Sequence, residues 1–132
     1  MATPRPPATT TCSAISRFAR EAGLGSATLS NCTIDHNQAI GGQLFGGNGA
    51  EGLGGGVANV LGSTLTVTGS TVTQNQAQGG EGEGGSDGLG VGGGLYLGSG
   101  PVYLDAFTLA HVKKNHASTS DPDIYGSYTP LL

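Results

Sequence analysis

The chain has 132 residues, a length for one domain. A formal net charge of −4, with only five Lys and Arg in all, excludes the basic footprint of a nucleic-acid binder. Glycine supplies 26 residues with no Gly-X-Y period, which excludes collagen, and a hydrophobic share of 36 % with 5 % aromatics excludes a thick core of large side chains.

Residues 1–11 read as an extended Pro/Thr-rich leader, because proline removes backbone donors. MATPRPPATTT has no apolar h-region, so it carries no secretory signal, and no run reaches the ~18 apolar residues of a membrane span. Met1 is therefore read as the start of an excised or misassigned segment, with a cytoplasmic protein as the alternative. In residues 12–24, Ile15, Phe18, Ala19 and Ala22 follow a helical i, i+3, i+4, i+7 spacing, and Gly23 supplies a stop. This stretch is either a short helical cap or a degenerate first coil, since CSAI stands 20 positions before CTI. The same separation divides Cys12 from Cys32, which form one disulfide or remain two buried thiols.

Residues 25–126 repeat. GGGVANV…STVTQNQA and GGGLYLG…HVKKNHA present the same order of events, and ATLSNCTIDHNQAIGG matches the closing half. Asn37 to Asn75 is 38 positions and Asn75 to Asn115 is 40, with Ile34, Val72 and Val112 keeping the same spacing. One residue is lost before Val102 and three are gained in the Asp105–Leu109 region. Leu65 and Val67, Leu95 and Leu97, and Val102 and Leu104 alternate with polar or tyrosine positions, as strands with one inward face do. Each repeat thus offers three short strands, which must stack in parallel if identical columns are to superpose. Between them QLFGGNGAEGLGGG and QGGEGEGGSDGLGVGGG are too long for tight turns. Asn37, Asn75 and Asn115 are expected to turn a corner in the left-handed conformation and to hydrogen-bond along the stack. Residues 127–132 are a tail.

These Gly-Gly-x and x-x-x-Asn repeats resemble those of polymorphic outer-membrane and autotransporter-passenger proteins, and more broadly the right-handed, pectate-lyase-like β-helix superfamily. The resemblance spans roughly residues 25–126. Departures are the alanine or leucine-tyrosine after the glycines and Val72 and Val112 where phenylalanine is usual. The resemblance implies an all-β fold, a short right-handed parallel β-helix (a solenoid) with long glycine-rich inter-rung loops. It also implies a secreted or cell-surface setting, and in many relatives action on polysaccharides.

The residues give little chemistry. Lyase chemistry of that family needs clustered acids and a base, and the rungs hold no arginine and only Lys113 and Lys114. Hydrolysis needs two carboxylates across a cleft, for which Asp35, Asp105, Asp121 and Asp123 are the candidates. His36 and His116 flank the asparagine column at positions where the middle repeat has Gln74 and Gln76. GGEGEGGSD resembles one copy of a calcium β-roll nonapeptide, making Glu81, Glu83 and Asp87 weak Ca²⁺ candidates. An outward threonine array at Thr64, Thr66 and Thr68 ends at Tyr103 and Asp105. The expectation is a non-catalytic, surface-exposed structural module, a segment of a larger protein or one that stacks end to end on its own copies. The alternatives are a glycan-binding or glycan-cleaving module using Tyr96, Tyr103 and Asp105, and a Ca²⁺-ordered loop module.

Overall fold

The computed structural model describes residues 10–11, 26–60 and 62–131. The fold is all-β. After β1 (Thr10–Thr11), the first repeat runs β2 (Ser26–Ser30), β3 (Cys32–Asp35), β4 (Gln38–Ile40), β5 (Leu44–Gly47), β6 (Gly52–Leu53) and β7 (Val57–Asn59). The second runs β8 (Thr64–Thr68), β9 (Thr71–Thr73), β10 (Gln76–Gln78), β11 (Gly82–Gly84), β12 (Gly90–Val91) and β13 (Leu95–Leu97). The third has β14 (Val102–Asp105), α1 (Ala106–Ala110), β15 (Val112–Lys113), β16 (His116–Ala117) and β17 (Ile124–Gly126), followed by β18 (Thr129–Leu131). The expected cap or degenerate coil at 12–24 lies outside the described residues. Thr10–Thr11, the end of the expected leader, pairs with Cys32–Thr33, and part of the expected tail forms β18.

Every pairing between these strands is parallel, and apart from β1 on β3, sheet neighbours come from successive repeats. The sheets run β1-β3-β9-β15, β4-β10-β16, β5-β11, β6-β12, β7-β13-β17 and β2-β8-β14-β18. Ile34 pairs with Val72, and Val72 with Val112. Leu97 pairs with Asn59, Val102 with Leu65 and Leu104 with Val67, which places the lost residue between Leu97 and Val102. The gained residues are α1 and its flanks. Its N-cap is Asp105, whose side chain accepts from the Thr108 backbone N–H, and its turn buries Thr108 while leaving Phe107 outside, stacked on His111.

The core is one residue thick. Ile34, Leu65, Val67, Val72, Leu95 and Leu104 are fully buried, with Cys32, Val57, Leu97, Val102 and Val112 completing the cluster. Alternation puts their neighbours on the outside, so the burial pattern of β8 is a strict in–out sequence. A short chain with few large side chains makes a narrow interior in this way, each inward residue packing on its counterpart one repeat along.

Sequence patterning predicts three strands per repeat; the first two repeats have six each. The extra strands come from the glycine-rich loops, whose hydrophobic pattern is silent because their contacts are made by backbone. Gly41 donates to Gln78, Leu44 to Glu81, Gly49 to Ser86 and Gly52 to Leu89, at 2.8–3.1 Å, so the first loop lies on the second. Ala50 donates to Gly42, Gly80 to Ala50 and Gly88 to Gly80, tying the limbs of the two loops into one layer. The approach is so close that a Cβ on Gly80 would strike the carbonyls of Gly41 and Gly42. The third repeat lacks this loop: after β16 a single bridge, Ser120 to Val91, leads directly into β17.

Gly80→Ala is expected to destabilise the protein by about 1–3 kcal/mol through overpacking against backbone that cannot yield. Gly42→Ala, whose added Cβ meets nothing, is expected to stay within about 0.5 kcal/mol of wild type. Urea denaturation of both variants checks the pair; equal stability would mean that the loops are not packed as described.

Candidate functional site

The most organised polar feature is a column of asparagine side chains along one edge of the core. The chain turns a corner after β3, β9 and β15, and at each corner His36, Gln74 and Lys114 take positive φ, at 57°, 57° and 59°. This corrects the expectation that the asparagines themselves adopt the left-handed conformation. The residue before each one does so, which leaves Asn37, Asn75 and Asn115 to turn inward; Asn75 and Asn115 are buried.

Asn37 donates its backbone N–H and its Nδ2 to Oδ1 of Asn75, at 2.9 and 3.1 Å. Asn75 does the same to Oδ1 of Asn115, at 2.9 and 3.0 Å. The second hydrogen of each amide goes back to the core strand, from Asn75 to the Ile34 carbonyl and from Asn115 to the Val72 carbonyl, both at 2.9 Å. Each buried amide therefore has both hydrogens and its oxygen satisfied, which a buried polar group requires.

The triple glycines belong to the same device. Gly56 and Gly94 precede the paired residues Val57 and Leu95, and a Cβ on either would press on the amide nitrogen of Asn75 or Asn115. The residue in that position in the third repeat is Asp123, because Leu95 pairs with Ile124. No fourth asparagine lies there, and the Asp123 carboxylate fills the place. Its Oδ1 accepts from the Asn115 backbone N–H at 3.1 Å and from Asn115 Nδ2 at 3.0 Å. Asp123 thus closes the column with the same two bonds an asparagine would accept.

A second, smaller column runs beside it. The Cys32 N–H donates to Ser70 Oγ at 3.0 Å and the Ser70 N–H to Thr108 Oγ1 at 3.1 Å, all three residues being buried. Cys32 is disulfide-bonded; Cys12, its expected partner, lies outside the described residues. Asp105 joins this column to the helix, accepting from the Thr108 N–H at 2.9 Å and the Gly69 N–H at 3.0 Å. Burial pushes the Asp105 carboxyl upward, but the hydrogen bonds from Thr108 and Gly69 outweigh it and hold the pKa below the ordinary 3.8.

The carboxylates weighed for catalysis are spent separately. Asp105 and Asp123 are structural acceptors, Asp35 touches exposed His36 at 3.1 Å, and Asp121 takes a positive-φ turn at 54°. Lys113, Lys114 and His116 are exposed. Glu81, Glu83 and Asp87 lie on the exposed loop, where Asp87 accepts from the Gly82 N–H at 3.0 Å. Among the described residues no three His, Cys, Asp or Glu side chains come together as a metal-sized cluster. Of the tyrosines weighed for glycan contact, Tyr96 stacks on Tyr125 with ring centroids 4.8 Å apart, while Tyr103 sits in a different sheet. Burial raises the Tyr96 phenol above its ordinary 10.0, with Tyr125 and Glu51 adding to it.

Sequence reasoning named Asp123 only as a candidate carboxylate and missed its place in the column, and it missed Ser70, Thr108 and Asn59 altogether. Spacing was the available signal for two of them, since Cys32, Ser70 and Thr108 are each 38 apart. Asn59, fully buried, donates from Nδ2 to the Ser63 and Ser99 carbonyls at 2.8 and 3.0 Å, and gives no spacing signal because the next repeat has Leu97 at that position.

Asn75→Asp keeps the acceptor for Asn37 but loses both donors and sets a carboxylate against two oxygens. Thermal or urea unfolding is expected to show a loss of at least about 2 kcal/mol at neutral pH. The loss should shrink in acid, as the buried carboxyl protonates and regains a donor. Asp105→Asn tests the second column. Because the folded pKa of Asp105 is depressed, its contribution is full above the ordinary value of 3.8 and is lost as pH falls through the lower folded value. Wild type is therefore expected to exceed the variant in stability at pH 6 and to converge on it in acid, in a melting series at stepped pH. No protein-family model, curated protein or solved structure matches this chain.

Proposed function

We propose that the chain is a short right-handed parallel β-helix acting as a non-catalytic structural module of a larger secreted or cell-surface protein. The observation that supports this most is the register: apart from β1 on β3, parallel neighbours in all six sheets come from successive repeats, and the asparagine column follows the same offsets. A chain that winds in coils produces this pairing without antiparallel returns. The disulfide at Cys32 fits an oxidising compartment. Among the described residues no helix is long and apolar enough to cross a membrane. The buried amides and hydroxyls of the two columns are spent on one another, which favours a scaffold over an enzyme.

Of the two forms of assembly this reading allows, incorporation in a longer chain is favoured over end-to-end stacking of copies. Asp123 already occupies the acceptor position that a stacked copy would need to fill. Size-exclusion chromatography with light scattering is expected to give one monomeric mass across a hundredfold range of concentration. Open-ended growth with concentration would overturn this. A glycan-binding reading draws on one observation, the Tyr96–Tyr125 stack with Tyr125 at the surface, since an exposed ring face suits a sugar. A glycan array with wild type and Tyr125→Ala decides it: binding lost in the variant would replace the scaffold reading.

A further inference from the structure

The chain has six asparagines, and the fold uses five of their carboxamides. Asn37, Asn75 and Asn115 form the column, Asn59 holds the corner at Ser63, and Asn48 Oδ1 accepts from the Ser86 N–H at 2.9 Å. Asn31 is the exception. Its carboxamide makes no hydrogen bond among the described residues, and its backbone alone is engaged, donating to the Thr68 carbonyl at 2.9 Å. It is exposed, at the positive-φ corner between β2 and β3, with φ of 55°. The equivalent corner one repeat on is Gly69, also at positive φ, so the backbone there does not by itself demand an amide.

Asn31 also begins Asn31-Cys32-Thr33, and none of the other five asparagines is followed two residues later by serine or threonine. Alternation along β3 turns Cys32 inward and leaves Thr33 half-exposed, so Asn31 and Thr33 share the outer side of the corner. The residue between them is disulfide-bonded, which places the tripeptide where an oxidising secretory compartment would present it.

We propose that Asn31 is an acceptor for an N-linked glycan. The inference rests on the secreted reading above. The co-reactant is an oligosaccharide carried on a lipid diphosphate. A bond forms between Asn31 Nδ2 and C1 of the first sugar while the bond from C1 to the phosphate oxygen breaks. One amide proton is released, and the lipid diphosphate departs; nothing is oxidised or reduced. Transfer requires a pliable tripeptide, so closure of the Cys32 disulfide competes with it.

The full chain, placed behind a cleavable signal peptide and expressed in mammalian cells, is analysed in the medium and the luminal fraction. Gel mobility and intact mass are read before and after peptide N-glycosidase. Wild type is expected to carry one glycan, removed by the enzyme with conversion of Asn31 to aspartate. Asn31→Gln and Thr33→Ala are each expected to abolish it, and Cys12→Ser to raise the modified fraction. A fully unmodified wild-type chain in both fractions overturns the proposal, whatever the Cys12→Ser variant shows. Because entry is imposed, this result is separate from the secreted reading, which fails instead if the chain in its native reading frame never reaches that compartment.

Discussion

A buried amide must have its hydrogens and oxygen satisfied, and the arrangement that does this here determines much else. Asn75 and Asn115 each take two donors from the preceding repeat and give one hydrogen forward and one back to a core carbonyl. That demands a fixed offset between repeats, since a slip of one residue would orphan every group in the column and turn the inward valines and leucines outward. It demands glycine at 56 and 94, where a side chain would displace the amide. It also demands that a neighbouring residue absorb the strain of the corner, which His36, Gln74 and Lys114 do at positive φ. Hydrophobic burial drives the collapse of this chain, and the column specifies which of the possible stackings results.

The glycine-rich loops solve a different problem by the same means. They have almost no apolar side chains to bury, so they are held by hydrogen bonds between backbones, and the lack of Cβ atoms lets those backbones come close enough. Phe45, three-quarters exposed, and Leu44 stand out from this layer without contributing to the core. A loop of this composition is compact because it is glycine, although the same composition in isolation would favour disorder.

Periodicity made the strand columns readable. Ile34, Val72 and Val112 lie in register, and the displaced residues fall beside Val102 and at α1, because inward positions leave a period-two trace in the chain. The glycine loops were opaque to the same reasoning, since backbone pairing leaves no pattern in side chains. Asp123 was opaque for another reason. It stands eight residues after Asn115, so no spacing near 38 points to it, and beside Pro122 it resembles an ordinary turn residue. Asp105 looked like an outward acid available to a ligand, whereas its carboxylate is committed to two backbone donors. Reading acids as chemistry fails in a fold that needs acceptors at its corners.

The amides of the column all point the same way. Each Nδ2 donates to the following repeat, and Oδ1 of Asn75 and of Asn115 accepts from the preceding one, so the amide dipoles add along the column, as peptide dipoles do in a helix. The positive end of that sum lies at Asn115 Nδ2, and the group placed against it is the Asp123 carboxylate, 3.0 Å away. A neutral asparagine there would supply the same acceptor with no net charge. An anion at the electropositive end of a dipole array is the arrangement acidic residues take at helix N-termini, reached here without a helix.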